Sequence, residues 1–195
     1  QNLGYAEGNN VGIRYALENK AEYVWLLNND TVVEKSTLSE LMRTMRFDPR
    51  MGMVSPVIYD HSDRSKIQFC GSIADKRRFI LEPLKTIEKL GAANTKDMVL
   101  WATALLVGKD VINKVGGLDN KFFAYFEDID LSLRAAESGY RLAVSVTAKV
   151  YHKNEYTVPG SQPLHYYFYR GRNKVFLWWD RAAVSGKIRF LGKYL

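Results

Sequence analysis

An α/β domain is predicted by two observations. Short, nearly continuous apolar runs rich in strand formers, residues 22–27 (EYVWLL) and 98–108 (MVLWATALLVG), break off into polar or glycine-containing stretches. Between them, Leu38, Leu41, Met42 and Met45 repeat at the i, i+3, i+4, i+7 interval of an amphipathic helix. The 195 residues, 47% of them apolar, suit one domain with a sizeable core.

Composition narrows the function classes. A single cysteine, Cys70, excludes an intramolecular disulfide framework and a cysteine-based zinc site, which fits a reducing, cytoplasmic setting. No uncharged apolar run approaches the roughly 18 residues of a membrane helix, and no basic stretch leading into an apolar one follows Gln1, so neither a membrane span nor a signal peptide is visible. The net charge of +7 is uneven: residues 1–140 carry 18 Lys/Arg against 19 Asp/Glu, and residues 141–195 carry 10 against 2. A field of that sign suits phosphates, anionic headgroups or nucleic acid.

In chain order, residues 2–12 hold three Gly and three Asn and read as a turn-rich loop feeding a short helix over 9–19, where Ile13, Ala16 and Leu17 share a face. Such a start either holds an anion on free N–H groups and side-chain amides or is a plain turn. Residues 22–27 are expected as a buried strand of a parallel sheet, opening at its C-terminal end into Asn28-Asn29-Asp30, where α/β sheets place their ligands. Thr37 and Glu40 are spaced for a capping box on the following helix. Pro56 predicts that the strand over 51–59 lies at an edge or breaks there. Residues 60–97 read as an excursion over one face, with a short strand near 67–70. After 98–108, a strand or strand pair, comes a short helix over 109–115 closed by Gly116-Gly117.

The stretch 122–131 (FFAYFEDIDL) delivers Glu127, Asp128 and Asp130 among aromatics, at the start of a helix over 128–138 that stops at Gly139. Acids in that setting either complement the helix dipole or have a chemical task. Residues 141–152 alternate as a strand ending in His152, either a plain strand-end histidine or a ligand. The tail, 163–195, interleaves basic and aromatic residues. A helix from about Leu164 places Leu164, Phe168, Gly171, Val175 and Trp178 on one face, which either lies on an anionic membrane or packs on the domain. Asp30, Glu127, Asp128 and His152 together are the residue types that bind Mg²⁺ or Mn²⁺ beside a diphosphate and supply a base.

Four segments in this order resemble the family 2 inverting glycosyltransferases with the GT-A fold, especially the branch of rhamnosyl- and galactofuranosyltransferases of bacterial surface polysaccharides. They are NLGYAEGNNVG at 2–12, LLNND at 26–30, VGGLDNKFFAYFEDIDLSLRAAESGY at 115–140, and Val150-Tyr151-His152 with Arg172-Asn173. The second stands where the family often shows LLNPD as its version of the D-x-D metal motif, and the third is similar to the segment ending in its E-D base motif. The resemblance implies Asp128 as general base with Glu127 beside it, and a divalent cation, Mg²⁺ or Mn²⁺, held by Asp30 and His152 with Asn28 where an Asp would strengthen the site. It implies donor contacts at Asn2, Gly4, Gly8, Asn9, Asn10, Asn29, Arg170 and Arg172, and acceptor contacts at Trp101 and Phe126.

The implied partners are a nucleotide-sugar donor, with dTDP-rhamnose or a UDP-sugar as candidates, and a glycan or lipid-linked acceptor, at the cytoplasmic face of an anionic membrane and without nucleic acid. The implied organisation is a GT-A mixed-sheet domain over 1–162 and a basic aromatic helical segment over 163–195. On the family pattern the chain starts after roughly 60 to 80 residues of nucleotide-binding strands, including a D-G-S-type segment. A non-catalytic membrane- or polyanion-binding module built on the tail is the competing expectation.

Overall fold

The computed structural model describes residues 1–153, 162–182 and 184–194. In order these form α1 (Gly4–Glu18), β1 (Tyr23–Leu27), β2 (Thr31–Val33), α2 (Thr37–Met45), β3 (Met51–Asp60), β4 (Ile67–Phe69), β5 (Ser72–Asp75), β6 (Ile80–Pro83), α3 (Ile87–Ala92), β7 (Met98–Val99), β8 (Ala104–Gly108), α4 (Lys109–Val115), α5 (Glu127–Glu137), β9 (Arg141–His152), α6 (Leu164–Arg181) and α7 (Val184–Tyr194). The main sheet runs β1-β8-β3-β9-β2, with β4 on the end of β3, and a three-stranded sheet β6-β5-β7 flanks it. Only the β3–β9 ladder is parallel; β1–β8, β3–β8, β2–β9 and β3–β4 are antiparallel. This is the expected α/β architecture of a mixed sheet flanked by helices.

Four local expectations are corrected. Residues 2–12 are mostly helix: α1 buries Ala6, Asn10 and Ile13, while Gly8 and Gly12 face open space. Tertiary packing of one face outweighs the helix-breaking composition of the other. The run 23–27 is a strand, but it pairs antiparallel to β8 at the edge of the described sheet, and Leu27 is exposed. Pro56 lies within β3 in the interior of the sheet, and β3 continues through it. It pairs with β9 alone, since the β8 pairs stop at Val54 and the β4 pairs start at Ile58, and β9 bulges beside it, its register jumping from Ser145 opposite Pro56 to Lys149 opposite Val57. The capping box is absent as well: the Thr37 hydroxyl donates to Lys149 O at 2.6 Å and ties α2 to β9 instead.

One core lies between the main sheet and α1, α4 and α5, built on Met53, Val57, Leu105, Val107 and Leu131. A second gathers Phe122, Ile129, Leu133, Leu177, Trp178 and Phe190, so α6 and α7 pack on α5 and on the segment just before it. At about 1.5–3 kcal/mol for each large apolar side chain buried, this second core fixes α6 against α5. The outer face of α6 stays open, with Leu164 88%, Phe168 61% and Val175 43% exposed. Trp178, expected on that face, is buried. No described helix is long and apolar enough to cross a membrane.

Candidate active site

The ends of β1 and β9 and the start of α5 converge on a cavity of about 630 Å³. Asp30, His152, Glu127, Asp128, Trp101 and Phe126 all line it. The acids reach it because the backbone before α5 turns sharply, with Phe123, Tyr125 and Phe126 all at positive φ. Non-glycine residues pay for that conformation, and such residues cluster at functional sites.

At the strand ends, His152 Nε2 lies 3.2 Å from Asp30 Oδ2. The other ring nitrogen, Nδ1, is 3.0 Å from Gln68 Oε1. Gln68 is oriented by its own neighbours: its Nε2 donates to Asp60 Oδ2 and to His152 O, each at 3.3 Å. The Ser62 hydroxyl holds the Asp60 carboxyl down at about 2, so Asp60 only accepts and Gln68 must turn its oxygen toward the imidazole. Nδ1 therefore donates to Gln68 Oε1, and Nε2 faces the Asp30 carboxylate, a position that takes a proton or a cation between nitrogen and oxygen.

Asp30 Oδ1 is buried with no hydrogen-bond partner among the described residues. The donor set is small: no group of three or more His, Cys, Asp or Glu side chains gathers among the described residues. Such a pair suits Mg²⁺ or Mn²⁺, which take one or two protein ligands and complete their shell with water and substrate phosphate. The third expected ligand, Asn28, lines the same cavity with its Oδ1 2.9 Å from the Tyr5 hydroxyl.

At the start of α5, Asp128 Oδ2 accepts the Ala102 N–H at 2.9 Å and Oδ1 accepts the Ile129 N–H at 2.8 Å. Burial pushes the Asp128 carboxyl up, opposed by these two N–H groups and by the Arg170 charge. Glu127, only 4% exposed, is pushed up to about 8 by burial and then by the Asp128 charge, and its Oε2 has no partner among the described residues. The neighbours distinguish the pair: two backbone N–H donors favour the charged form of Asp128, while nothing among the described residues does the same for Glu127 Oε2.

Residues 23–188 match the sequence model of the glycosyl transferase family group 2. The chain belongs to this family. An uncharacterized protein of Mycobacterium tuberculosis is 29% identical over 98% of this chain and 71% of its own length. The dTDP-rhamnosyl transferase RfbF of Shigella flexneri is 25% identical over 78% of this chain, which spans 49% of that relative. Among solved structures, the mannosyltransferase PcManGT of Pyrobaculum calidifontis, in complex with GDP-Man and Mn²⁺, superposes with a TM-score of 0.56 at 18% identity, over 87% of this chain and 41% of that one. The fold is GT-A.

Within this glycosyl transferase family 2 domain, eight of the expected residues share the cavity: Asn28, Asp30, Trp101, Phe126, Glu127, Asp128, His152 and Arg170. The others do not line it. Asn2 Oδ1 accepts the Gly4 N–H at 2.9 Å, and the Gly4 Cα faces Phe123 so closely that a Cβ would stand 2.5 Å from its ring. Gly8 and Asn29 are exposed, and the Asn9 amide donates back to Tyr5 O at 2.8 Å. Asn10 is 8% exposed and its side chain brackets Leu118, accepting the N–H at 2.9 Å and donating to the carbonyl at 2.7 Å. Arg172 is spent on the Lys121 and Phe122 carbonyls, at 3.0 and 2.9 Å.

Two cavity residues escaped the sequence reading. Tyr5 reaches both Asn28 Oδ1 and Ala102 O at 2.9 Å, linking the strand end to Ala102, the residue whose N–H donates to Asp128. Burial, then the charges of Asp128, Glu127 and Asp30, raise its phenol, so it remains a neutral donor. Its only signal was helical spacing from Asn9, inside a segment that read as a loop. Gln68 carried no signal at all, since its role exists only once β4 pairs with β3. Asp130 proves to be more than a helix-start acid: it is buried between Arg134 Nε at 2.7 Å and Arg181 Nη2 at 2.8 Å.

Proposed function

We propose that this chain carries the base and the metal-binding strand ends of an inverting glycosyltransferase, which moves a sugar from a nucleotide diphosphate to a hydroxyl of a glycan or lipid-linked acceptor. The observation that supports it best is the presence, in the lining of one cavity, of Asp128 on two backbone N–H donors and of the Asp30–His152 pair with its unpartnered oxygen. Asp128 takes the acceptor hydroxyl proton as that oxygen bonds to the anomeric carbon, and the bond from that carbon to the diphosphate breaks on the opposite side. Protonated Glu127 is a hydrogen-bond donor beside the base, placed to orient the acceptor. Trp101 and Phe126 offer apolar faces to a sugar ring, and Arg170 offers positive charge to the leaving diphosphate. A divalent cation on Asp30 and His152, with Asn28 alongside, would neutralise the same diphosphate.

Similarity to a dTDP-rhamnosyl transferase supports dTDP-rhamnose as the first donor to try, with UDP-sugars next. The exposed apolar face of α6, on a tail of basic excess, supports a peripheral position on the cytoplasmic face of an anionic membrane, in the service of cell-surface polysaccharide synthesis. The same face favours the second reading, a membrane- or polyanion-binding module without catalysis. Asp128→Asn in the complete protein separates the two. Transfer is expected to fall by roughly 10³-fold or more while the melting profile and vesicle binding persist. Undiminished transfer by this variant would remove Asp128 from the mechanism.

A further inference from the structure

Of the five non-glycine residues at positive φ among the described residues, three lie within four consecutive positions: Phe123, Tyr125 and Phe126. Phe123, at φ 63° and ψ −60°, centres a three-residue γ-turn of the rare, strained hand, closed by the Ala124 N–H on Phe122 O at 2.7 Å. Backbone of this kind persists only where its surroundings over-determine it. Those surroundings are on α6.

Asn173 is 0% exposed, and its Nδ2 lies 2.8, 2.7 and 2.7 Å from the carbonyl oxygens of Phe122, Ala124 and Tyr125. Its two amide protons thus serve three carbonyls that the turn directs inward. Arg172 Nε donates to Asn173 Oδ1 at 2.9 Å, which decides which end of the amide faces the turn. The Arg172 guanidinium also holds the Lys121 and Phe122 carbonyls and lies 4.8 Å from the centre of the Tyr169 ring and 5.2 Å from that of Phe176. The residues next out of the turn are Glu127 and Asp128. The seat of this one amide on α6 thereby sets where the acid pair enters the cavity.

We propose that Arg172 and Asn173 are a positioning pair: they lock the strained 122–126 turn so that Asp128 meets the Ala102 N–H in the cavity it shares with the Asp30–His152 pair, and neither touches substrate. For its kinetic part this rests on the transfer reaction proposed above. The experiment uses the complete protein. Asn173→Asp keeps the acceptor for Arg172 and nearly the same volume, but replaces the donor with an oxygen; Arg172→Lys keeps the charge and loses the fork.

Amide exchange read by mass spectrometry is expected to rise roughly tenfold in peptides covering 119–130 in the Asp variant, and less in the Lys variant, with β3 and β8 unchanged. The Asp variant is expected to lose roughly 10²-fold in kcat with the donor KM held within about threefold, because misplacing a base costs the transition state and not donor binding. Adding Phe123→Gly, which relieves the γ-turn, is expected to restore part of both. Wild-type exchange over 119–130 in a folded Asp variant would overturn the proposal, as would an increase spread evenly over the core. If the Asp variant does not fold, the Lys variant decides, and unchanged exchange and kcat overturn the proposal there too. A wild-type protein that transfers nothing from any donor refutes the functional reading, while the exchange measurement still decides the lock.

Discussion

Replacing Asp130 by Ala separates two roles for an acid in the first turn of α5. Its side chain is 3% exposed and bonds Arg134 Nε at 2.7 Å and Arg181 Nη2 at 2.8 Å, joining α5 to α6. Removing it leaves two guanidinium groups without their carboxylate in a largely dry site, a loss of about 3–5 kcal/mol for buried pairs. Arg134 is 24% exposed and keeps its bonds to the Val115 and Gly117 carbonyls, and Arg181 is 13% exposed, so the low end applies, about 3 kcal/mol. In a domain of this size each kcal/mol is worth about 2–4 °C, so the melting temperature should fall by about 6–12 °C. A carboxylate that only complements the helix dipole contributes about 0.3–1 kcal/mol and would shift it by no more than about 4 °C. Differential scanning calorimetry of Asp130→Ala, with Asp130→Asn as the variant that keeps one acceptor, measures the difference. A shift of 4 °C or less, by the same conversion, would refute the buried ion pair as the source of stability, and equal losses in both variants would mean that packing, not charge, is at stake.

Glu127 should leave a signature in stability against pH. Its folded carboxyl is raised to about 8 from an ordinary value of 4.5, so between these values the folded state holds a proton that the unfolded state has lost, and stability falls as pH rises through that window. Thermal melts of Glu127→Gln should lack that decline, and an identical pH dependence in variant and wild type would show Glu127 ionised throughout. At the outer face of α6, Leu164→Ser with Phe168→Ser should weaken binding to vesicles containing anionic lipid, and added salt should weaken wild-type binding over the range where the Debye length falls below about 8 Å. Binding indifferent to both would leave the exposed apolar face without a membrane role.

Legibility in the sequence followed how local each cause was. Strand ends and helix starts are written in short windows, so the apolar run before Asn28-Asn29-Asp30, the alternation ending at His152 and the acids opening α5 could be placed, and these residues do share one cavity. Causes that cross between elements could not. Asn10 looked like loop chemistry because nothing nearby in sequence announces that Leu118 needs its peptide group bracketed. Pro56 looked like an edge marker because the bulge that accommodates it belongs to β9, about ninety residues later in the chain. Asp130 looked like a dipole partner because one of its arginines stands on α6.

Arg172 shows the same limit from the other side, and changes how the tail is understood. A basic residue close to a proposed diphosphate site invites assignment to the phosphate, yet the Nε and Nη2 of Arg172 are taken by the Asn173 oxygen and two carbonyls, its guanidinium lies against aromatic faces, and it does not line the cavity. Arg170, two residues earlier on the helix, does line the cavity. Residues two apart on a helix point about 200° apart, to nearly opposite faces, so one arginine lines the cavity while the other holds the backbone before α5. The tail is therefore joined to the site twice, by Arg170 through charge and by Arg172–Asn173 through geometry. A change that shifts α6 should disturb both together, while Arg170→Gln should weaken the proposed hold on the leaving diphosphate and push the Asp128 carboxyl further up, with the 122–126 turn left in place.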